Sequence, residues 1–139
     1  MYRDVTDEGP TLVAAFGGKV FGLSKQTGKR IWEYRMKDGN KEQVVRVALQ
    51  AGRVYVLADR LACLDYATGK VLWEAPVPGG CSFGMLLVEG DRMFIAESGE
   101  VACVSTHDGR LLWFEEFKGE GRASVALAID GEAVQGDCR

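Results

Sequence analysis

The chain has 139 residues, of which 47% are hydrophobic and 27% are charged, and its formal net charge is −3. A chain of this length and composition can bury about two-thirds of its unfolded surface in one globular domain. Its 17 basic and 20 acidic residues are scattered in ones and twos, so they form no basic stripe. The sequence therefore argues against nucleic acid and against a membrane surface as partners, since both are bound through clustered positive charge.

The N-terminal residues 1–8 lack the apolar core of a signal peptide, and nowhere do 18 apolar residues follow one another. On this ground we expect a cytoplasmic protein. A mature chain from which a leader had been removed would have the same sequence.

Short apolar runs separated by Gly, Asp and Asn predict β-strands throughout, and no helical period is found. In chain order the predicted strands cover residues 11–16, 19–23, 30–35, 44–49, 53–58, 61–65, 70–75, 83–88, 92–97, 101–105, 110–117 and 123–129.

One ten-residue phrase occurs three times and ends each time on a tryptophan. Trp32, Trp73 and Trp113 lie 41 and then 40 residues apart, and they are the only tryptophans of the chain. A fixed period in this range is typical of repeated supersecondary units that stack against one another. Four antiparallel strands in about 40 residues make one blade of a β-propeller.

The predicted fold is therefore all-β, a propeller of three four-stranded blades in a single domain over residues 1–139. The second and third blades cover residues 44–76 and 83–117. The first blade, residues 11–36, lacks its innermost strand, which residues 123–129 can supply. The tail, residues 132–139, is then surplus.

Three blades are fewer than the four to eight that usually surround a propeller channel. An end blade would also expose one apolar face. We therefore expect a homodimer with six blades, in which the strand 123–129 of each chain completes the first blade of the other. The alternative is that the 139 residues are part of a longer propeller.

The repeated phrase resembles the repeat of the quinoprotein (PQQ-dependent) alcohol dehydrogenase-like propellers, A-x-D-x-x-T-G-x-x-x-W. The resemblance covers residues 11–131, and the positions that match are Trp32, Trp73, Trp113, Gly28, Gly69, Gly109, Thr27, Thr68 and Asp65. Ser24 and Ser105 replace the aspartate, and Asp108 replaces the third threonine. We expect structural roles for all of them. Glycine allows a turn with positive φ, the Asp or Ser side chain accepts backbone N–H bonds within it, and the resemblance implies that each tryptophan packs on the next blade.

The enzymes of this family resemble one another in an eight-bladed ring, a bound pyrroloquinoline quinone (PQQ), a calcium or lanthanide ion held by acidic and amide groups, a catalytic aspartate and often a disulfide between adjacent cysteines. This chain has no adjacent cysteines and too few blades, so we expect no cofactor, no metal and no catalytic residue.

The leading hypothesis is a non-catalytic binding or scaffold module that holds a protein or small molecule at the channel face. The alternative is a quinone-dependent oxidoreductase, or a fragment of one, using PQQ with calcium. A third possibility is a remnant with no separate activity.

Arg46 is the candidate ligand-binding residue, because it interrupts an apolar innermost strand where the other copies have Met85 and Val125. In the channel of a dimer, two such guanidinium groups could hold an anionic ligand; otherwise Arg46 is structural or solvated.

The remaining reactive residue types give no further site. His107, the only histidine, lies in a predicted surface turn without an evident nucleophile. Cys63 and Cys103 occupy the same position of successive repeats and are expected to be buried strand residues. Cys81 and Cys138 complete a set of four without a C-x-x-C pair, which is a poor inventory for zinc.

Overall fold

The computed structural model describes residues 11–37, 43–79 and 84–130. Within these residues the chain forms three antiparallel sheets, which confirms the all-β prediction. The strands are β1 (Leu12–Phe16), β2 (Lys19–Leu23), β3 (Arg30–Arg35), β4 (Arg46–Gln50), β5 (Arg53–Leu57), β6 (Arg60–Asp65), β7 (Val71–Pro76), β8 (Met85–Glu89), β9 (Arg92–Glu97), β10 (Glu100–Ser105) and β11 (Leu111–Glu115).

Each sheet is an up-and-down meander in which strands adjacent in sequence pair with one another. Blade 1 contains β1 to β3, blade 2 contains β4 to β7, and blade 3 contains β8 to β11. Strand β4 lies beside β8, so these two first strands form the inner side of the stack. This is the blade arrangement that the 40-residue period predicts, and the propeller fold is confirmed.

Residues 123–129 do not form the strand that the sequence predicts, and within the described residues no strand pairs with the free edge of β1. The segment lies instead beside blade 3, where the Gly99 N–H donates to the Ala123 carbonyl at 2.8 Å. Blade 2 stands between this segment and blade 1. Within one chain, therefore, residues 123–129 do not complete blade 1; the exchange between two chains stays a prediction.

Several predicted strand ends shift by one or two residues. The third blade begins with Met85, and its predicted first residue, Phe83, lies outside the described residues, as does the tail 132–139. Lys70, Arg110 and Phe117 lie just outside their strands.

The core consists of two layers, one on each side of blade 2. Along β5, Val54 and Val56 pack towards blade 1, whereas Tyr55 and Leu57 pack towards blade 3. Since successive side chains of a strand point to opposite faces, a strand buried on both faces is continuously apolar. The middle blade is therefore the best-buried of the three described sheets.

Each joint between blades contains a tryptophan that packs on a glycine turn of the following blade. The ring of Trp32 lies so close to Gly69 that a β-carbon there would stand 2.5 Å from Cδ2, and its Nε1–H donates to the Tyr66 carbonyl at 2.9 Å. Trp73 repeats this on Gly109, 2.7 Å from its Cζ3, and donates to the Thr106 carbonyl at 2.9 Å. These contacts orient each blade relative to the next.

The turns that receive the tryptophans share one geometry. Gly28, Gly69 and Gly109 have φ between 76° and 79°, and each N–H donates to the carbonyl four residues earlier. In the second turn, Asp65 Oδ2 accepts the Thr68 N–H at 3.0 Å and the Thr68 hydroxyl at 2.8 Å. In the other two turns a serine accepts a backbone N–H in the same way. Ser24 Oγ accepts the Thr27 N–H at 3.2 Å, and Ser105 Oγ accepts the His107 N–H at 3.1 Å.

Polar side chains add a second link at each joint. The Tyr34 hydroxyl donates to Glu74 Oε2 at 2.6 Å across blades 1 and 2. Burial, and then the hydrogen bond and charge of Glu74, raise the pKa of Tyr34 well above its ordinary value, so this phenol stays protonated. Between blades 2 and 3, the Gln50 amide pairs in both directions with the backbone of Gly90, at 2.8 and 2.9 Å.

The packing of Trp32 on Gly69 can be tested with two alanine variants. We expect Gly69→Ala to lower the free energy of unfolding by about 1–3 kcal/mol more than Gly52→Ala, because the new methyl group overlaps the Trp32 ring. Gly52 is the matched control: its φ is 79°, against 76° for Gly69, and a β-carbon there meets nothing within 4 Å. Both variants place a β-carbon on a backbone with positive φ, and this strain lowers the free energy of unfolding of each by about 1–2 kcal/mol. Urea unfolding followed by circular dichroism measures the difference; equal losses would contradict a steric role for the ring.

Candidate functional site

A cleft opens at the inner side of blades 2 and 3, where their first strands begin. Its volume is about 490 Å³. The cleft is lined by Arg46, Gly84, Met85, Ala96, Glu97, Ser98, Ser124, Val125 and Ala126. One wall is thus the start of β8 with the end of β9, and another is the backbone that follows Ala123.

Arg46 is the first residue of β4 and lies at the cleft half-buried. Its Nε–H donates to the carbonyl of Gly84 at 2.7 Å, just before β8 begins. The guanidinium carries five N–H donors in a planar fork, so this one bond joins the two blades without using up the group. Arg46 thereby links the inner strands and brings a positive charge to the cleft.

The other polar groups of the cleft were not among the candidates from sequence. Glu97 ends β9, Ser98 follows it in a turn, and Ser124 belongs to the segment after blade 3. All three are ordinary residues of strand ends and connections, and only the stacking of the blades brings them near Arg46. The pattern of the sequence contains no signal that would have selected them.

The histidine and the two cysteines of the described chain lie outside this cleft, whose hydroxyl groups are those of Ser98 and Ser124. His107 is exposed in the turn that follows β10. Cys63 and Cys103 are both inaccessible in the strands β6 and β10. Burial raises the pKa of the Cys63 thiol to about 11, and it also raises that of Cys103, so both carry the inert protonated form at neutral pH.

The cleft does not fit the quinone–calcium centre that the resemblance suggests as an alternative. Such a centre needs several acidic or amide side chains around one ion. Across residues 11–37, 43–79 and 84–130, no three His, Cys, Asp or Glu residues lie close enough to hold a metal, and the cleft contributes the single carboxylate of Glu97. The same residues contain no helix that is long and apolar enough to cross a membrane.

Comparison with known proteins identifies the family. The sequence profile described as outer membrane protein assembly factor BamB matches residues 17–135. The chain belongs to this BamB-type family of PQQ-like propeller repeats. The resemblance found in the repeated phrase is thereby confirmed.

Two relatives show how far the likeness extends. The outer membrane protein assembly factor BamB of Nitrosomonas eutropha is 29% identical over 93% of this chain and 34% of its own length. That of Salmonella typhimurium is 24% identical over 93% of this chain and 35% of its own length. The chain therefore spans about a third of the length of these relatives.

Solved structures agree on the fold. BamB from Moraxella catarrhalis superposes with a TM-score of 0.59 at 23% identity, covering 77% of this chain and 33% of that one. Quinohemoprotein alcohol dehydrogenase from Comamonas testosteroni gives 0.60 at 25% identity, over 76% of this chain and 19% of that one. One repeat thus supports both an assembly factor and an oxidoreductase, so the fold alone does not decide the function.

The burial of Cys63 predicts slow alkylation and a defined dependence on pH. At pH 8.5 we expect iodoacetamide to label Cys63 about 100-fold more slowly in the folded protein than in guanidinium chloride, because the thiolate is scarce and inaccessible. The folded pKa of about 11 lies above the unfolded value, so the protonated thiol adds stability below about pH 8.5 that is lost as the pH rises through 11. Peptide mapping by mass spectrometry measures the labelling; equal rates in both states would contradict the buried position.

Proposed function

We propose that this chain is a non-catalytic binding module that holds a segment of a protein partner in the cleft beside Arg46, in the assembly of outer membrane proteins. The observation that carries the proposal is the composition of the cleft: one guanidinium, one carboxylate, two hydroxyl groups and apolar walls. The family membership and the printed name of the relatives supply the biological context. In that context we place the chain where outer membrane proteins assemble, and not in the cytoplasm as residues 1–8 led us to expect.

The chemistry of the cleft favours an extended peptide with an acidic side chain. Arg46 suits a carboxylate, since a guanidinium donates two parallel hydrogen bonds to it. Met85 and Val125 offer apolar contact to a neighbouring side chain, and the hydroxyls of Ser98 and Ser124 can pair with the peptide backbone. A volume of about 490 Å³ lies within the usual range for a bound ligand.

Outer membrane proteins supply segments of this kind. Their strands are about ten residues long and alternate apolar with polar side chains. Such a segment, before it folds, presents an extended backbone with an acidic side chain between apolar ones. The proposed partner is therefore an unfolded segment of an outer membrane protein.

The role of Arg46 can be tested with a synthetic peptide. The probe is a fluorescein-labelled peptide of about ten alternating residues with one central glutamate. We expect Arg46→Gln to raise the dissociation constant about tenfold or more, because a hydrogen bond between charged groups is lost. Fluorescence anisotropy measures binding, and replacing the glutamate by glutamine should weaken binding to the wild-type protein to the same extent.

Arg53→Gln serves as the matched control. Arg53 begins β5 and pairs with Gln50, whereas Arg46 pairs with Leu57, so the two arginines lie at opposite ends of one hairpin. Arg53→Gln removes the same charge and should leave binding unchanged. Equal losses in both variants would contradict a site at Arg46. Stoichiometric uptake of PQQ with calcium and dye-linked alcohol oxidation would favour the oxidoreductase alternative instead.

A further inference from the structure

The third tryptophan of the repeat has no turn to pack on within the described chain. Trp32, in the joint between blades 1 and 2, is 8% exposed, whereas Trp113 is 42% exposed. The same contrast holds four residues later, where Met36 is 6% exposed and Phe117 is 45% exposed. Trp113 is positioned like the other two, opposite the small Cys103, as Trp73 is opposite Cys63. Blade 3 thus carries the tryptophan half of a joint, without the glycine turn on which that tryptophan would pack.

The receiving half of the same joint lies open on blade 1. Its turn matches the other two: Gly28 has φ of 77°, and the Gly28 N–H donates to the Ser24 carbonyl at 2.9 Å. Gly69 and Gly109 are buried under their tryptophans, but Gly28 is exposed and a β-carbon there would meet nothing within 4 Å. In the repeat, the Lys25 carbonyl takes the position of the Tyr66 and Thr106 carbonyls that accept the indole N–H.

We propose that Trp113 of one copy packs on the turn 24–29 of a second copy and donates its Nε1–H to the Lys25 carbonyl there. The joint would repeat the two joints inside the chain with the same residue types in the same places. Two copies joined in this way at both ends make six blades, within the usual four to eight, whereas three copies would make nine. Further blades could cover the open faces as well, but both halves of the missing joint are present on this chain, so the proposed occupant is a second copy in a closed dimer.

The segment after blade 3 is placed to complete the partner's first blade. The Gly17 N–H, in the turn after β1, donates at 3.0 Å to the carbonyl of Gln43, which precedes β4. The Gly99 N–H, in the corresponding turn after β9, donates at 2.8 Å to the Ala123 carbonyl. Residues 123–129 therefore begin where the innermost strand of a following blade begins. In the dimer that position is the free edge of the partner's β1.

The two faces are compatible in polarity. Val13 and Ala15 pack towards blade 2, so Leu12 and Phe16, exposed at 53% and 57%, point to the other face of blade 1. In the dimer, Leu12 and Phe16 would lie opposite the exposed rings of Trp113 and Phe117 of the other copy. Apolar groups thus face one another across the proposed joint.

Light scattering on a sizing column, with the full chain at several concentrations, is the first test. The expected mass is twice the 15.2 kDa of one chain. The fluorescence of Trp113 should shift to shorter wavelength as the dimer forms. A monomer at all concentrations, or a particle of three copies, would overturn the proposal.

Two pairs of variants locate the contact. Trp113→Ala and Gly28→Ala should each raise the dissociation constant of the dimer at least tenfold, the second because its methyl group would overlap the partner's indole. Phe114→Ala and Gly52→Ala are the controls: the Phe114 ring is 40% exposed and lies near Gly79, on the side of β11 that faces blade 2, and Gly52 has the same backbone conformation without a facing ring. Circular dichroism checks that all four fold. A dimer that Trp113→Ala and Gly28→Ala leave unchanged would overturn the proposal.

Mixing the Trp113→Ala chain with the Gly28→Ala chain distinguishes this head-to-tail dimer from a dimer that uses another surface. A mixed pair keeps one intact joint, formed by Trp113 of the Gly28→Ala chain and Gly28 of the Trp113→Ala chain. We expect the mixture to associate at least tenfold more tightly than either variant alone. No gain on mixing would contradict the head-to-tail joint. Peptide binding at Arg46 is measured separately, so failure of either proposal leaves the other standing.

Discussion

The packing of a tryptophan ring on a glycine turn is the contact on which the arrangement of the blades depends. Trp32 and Trp73 span the two joints, and each combines a large apolar ring with one hydrogen bond to a backbone carbonyl. Truncating a buried tryptophan to alanine typically costs about 3–5 kcal/mol, a large part of the stability of a domain of this size. The ring needs a backbone without a side chain beneath it, which is why the receiving turn contains glycine.

This contact also explains why a blade of this type is not an independent unit. A four-stranded sheet with two apolar faces has to be covered on both, and only blade 2 has a blade on each side. Blades 1 and 3 each bury one face and leave apolar side chains exposed on the other, Phe16 and Trp113 among them. Stacking therefore continues until a ring closes, either with further blades or with a second copy.

The side chains of the described strands and of the cleft suit the binding role proposed above. The two cysteines of the described strands serve as small core residues opposite the tryptophans, and their thiols are held protonated by burial. The groups that meet at the inner side of the stack are one arginine, one glutamate, two serines and backbone. Such a set is able to orient a ligand through hydrogen bonds and charge, which is the role that we propose for it. The family relationship with assembly factors agrees with a binding role.

The architecture could be derived from the sequence because it depends on local rules repeated three times. Alternation of apolar residues, glycine at positive φ and tryptophan at a fixed spacing determine the strands, the turns and the order of blades. Asp65 and the two serines act within their own turns, as their short side chains require.

Only the tertiary structure shows which distant segments of the chain come into contact and which hydrogen bonds they form. Arg46 was a candidate because it interrupts an apolar strand, but its bond to Gly84 and its neighbours Glu97 and Ser124 depend on how blades 2 and 3 stack. The place of residues 123–129 likewise depends on the space beside blade 3, not on their own β-like pattern. A local pattern specifies the strand a segment is able to form; whether it forms depends on the presence of an adjacent free edge.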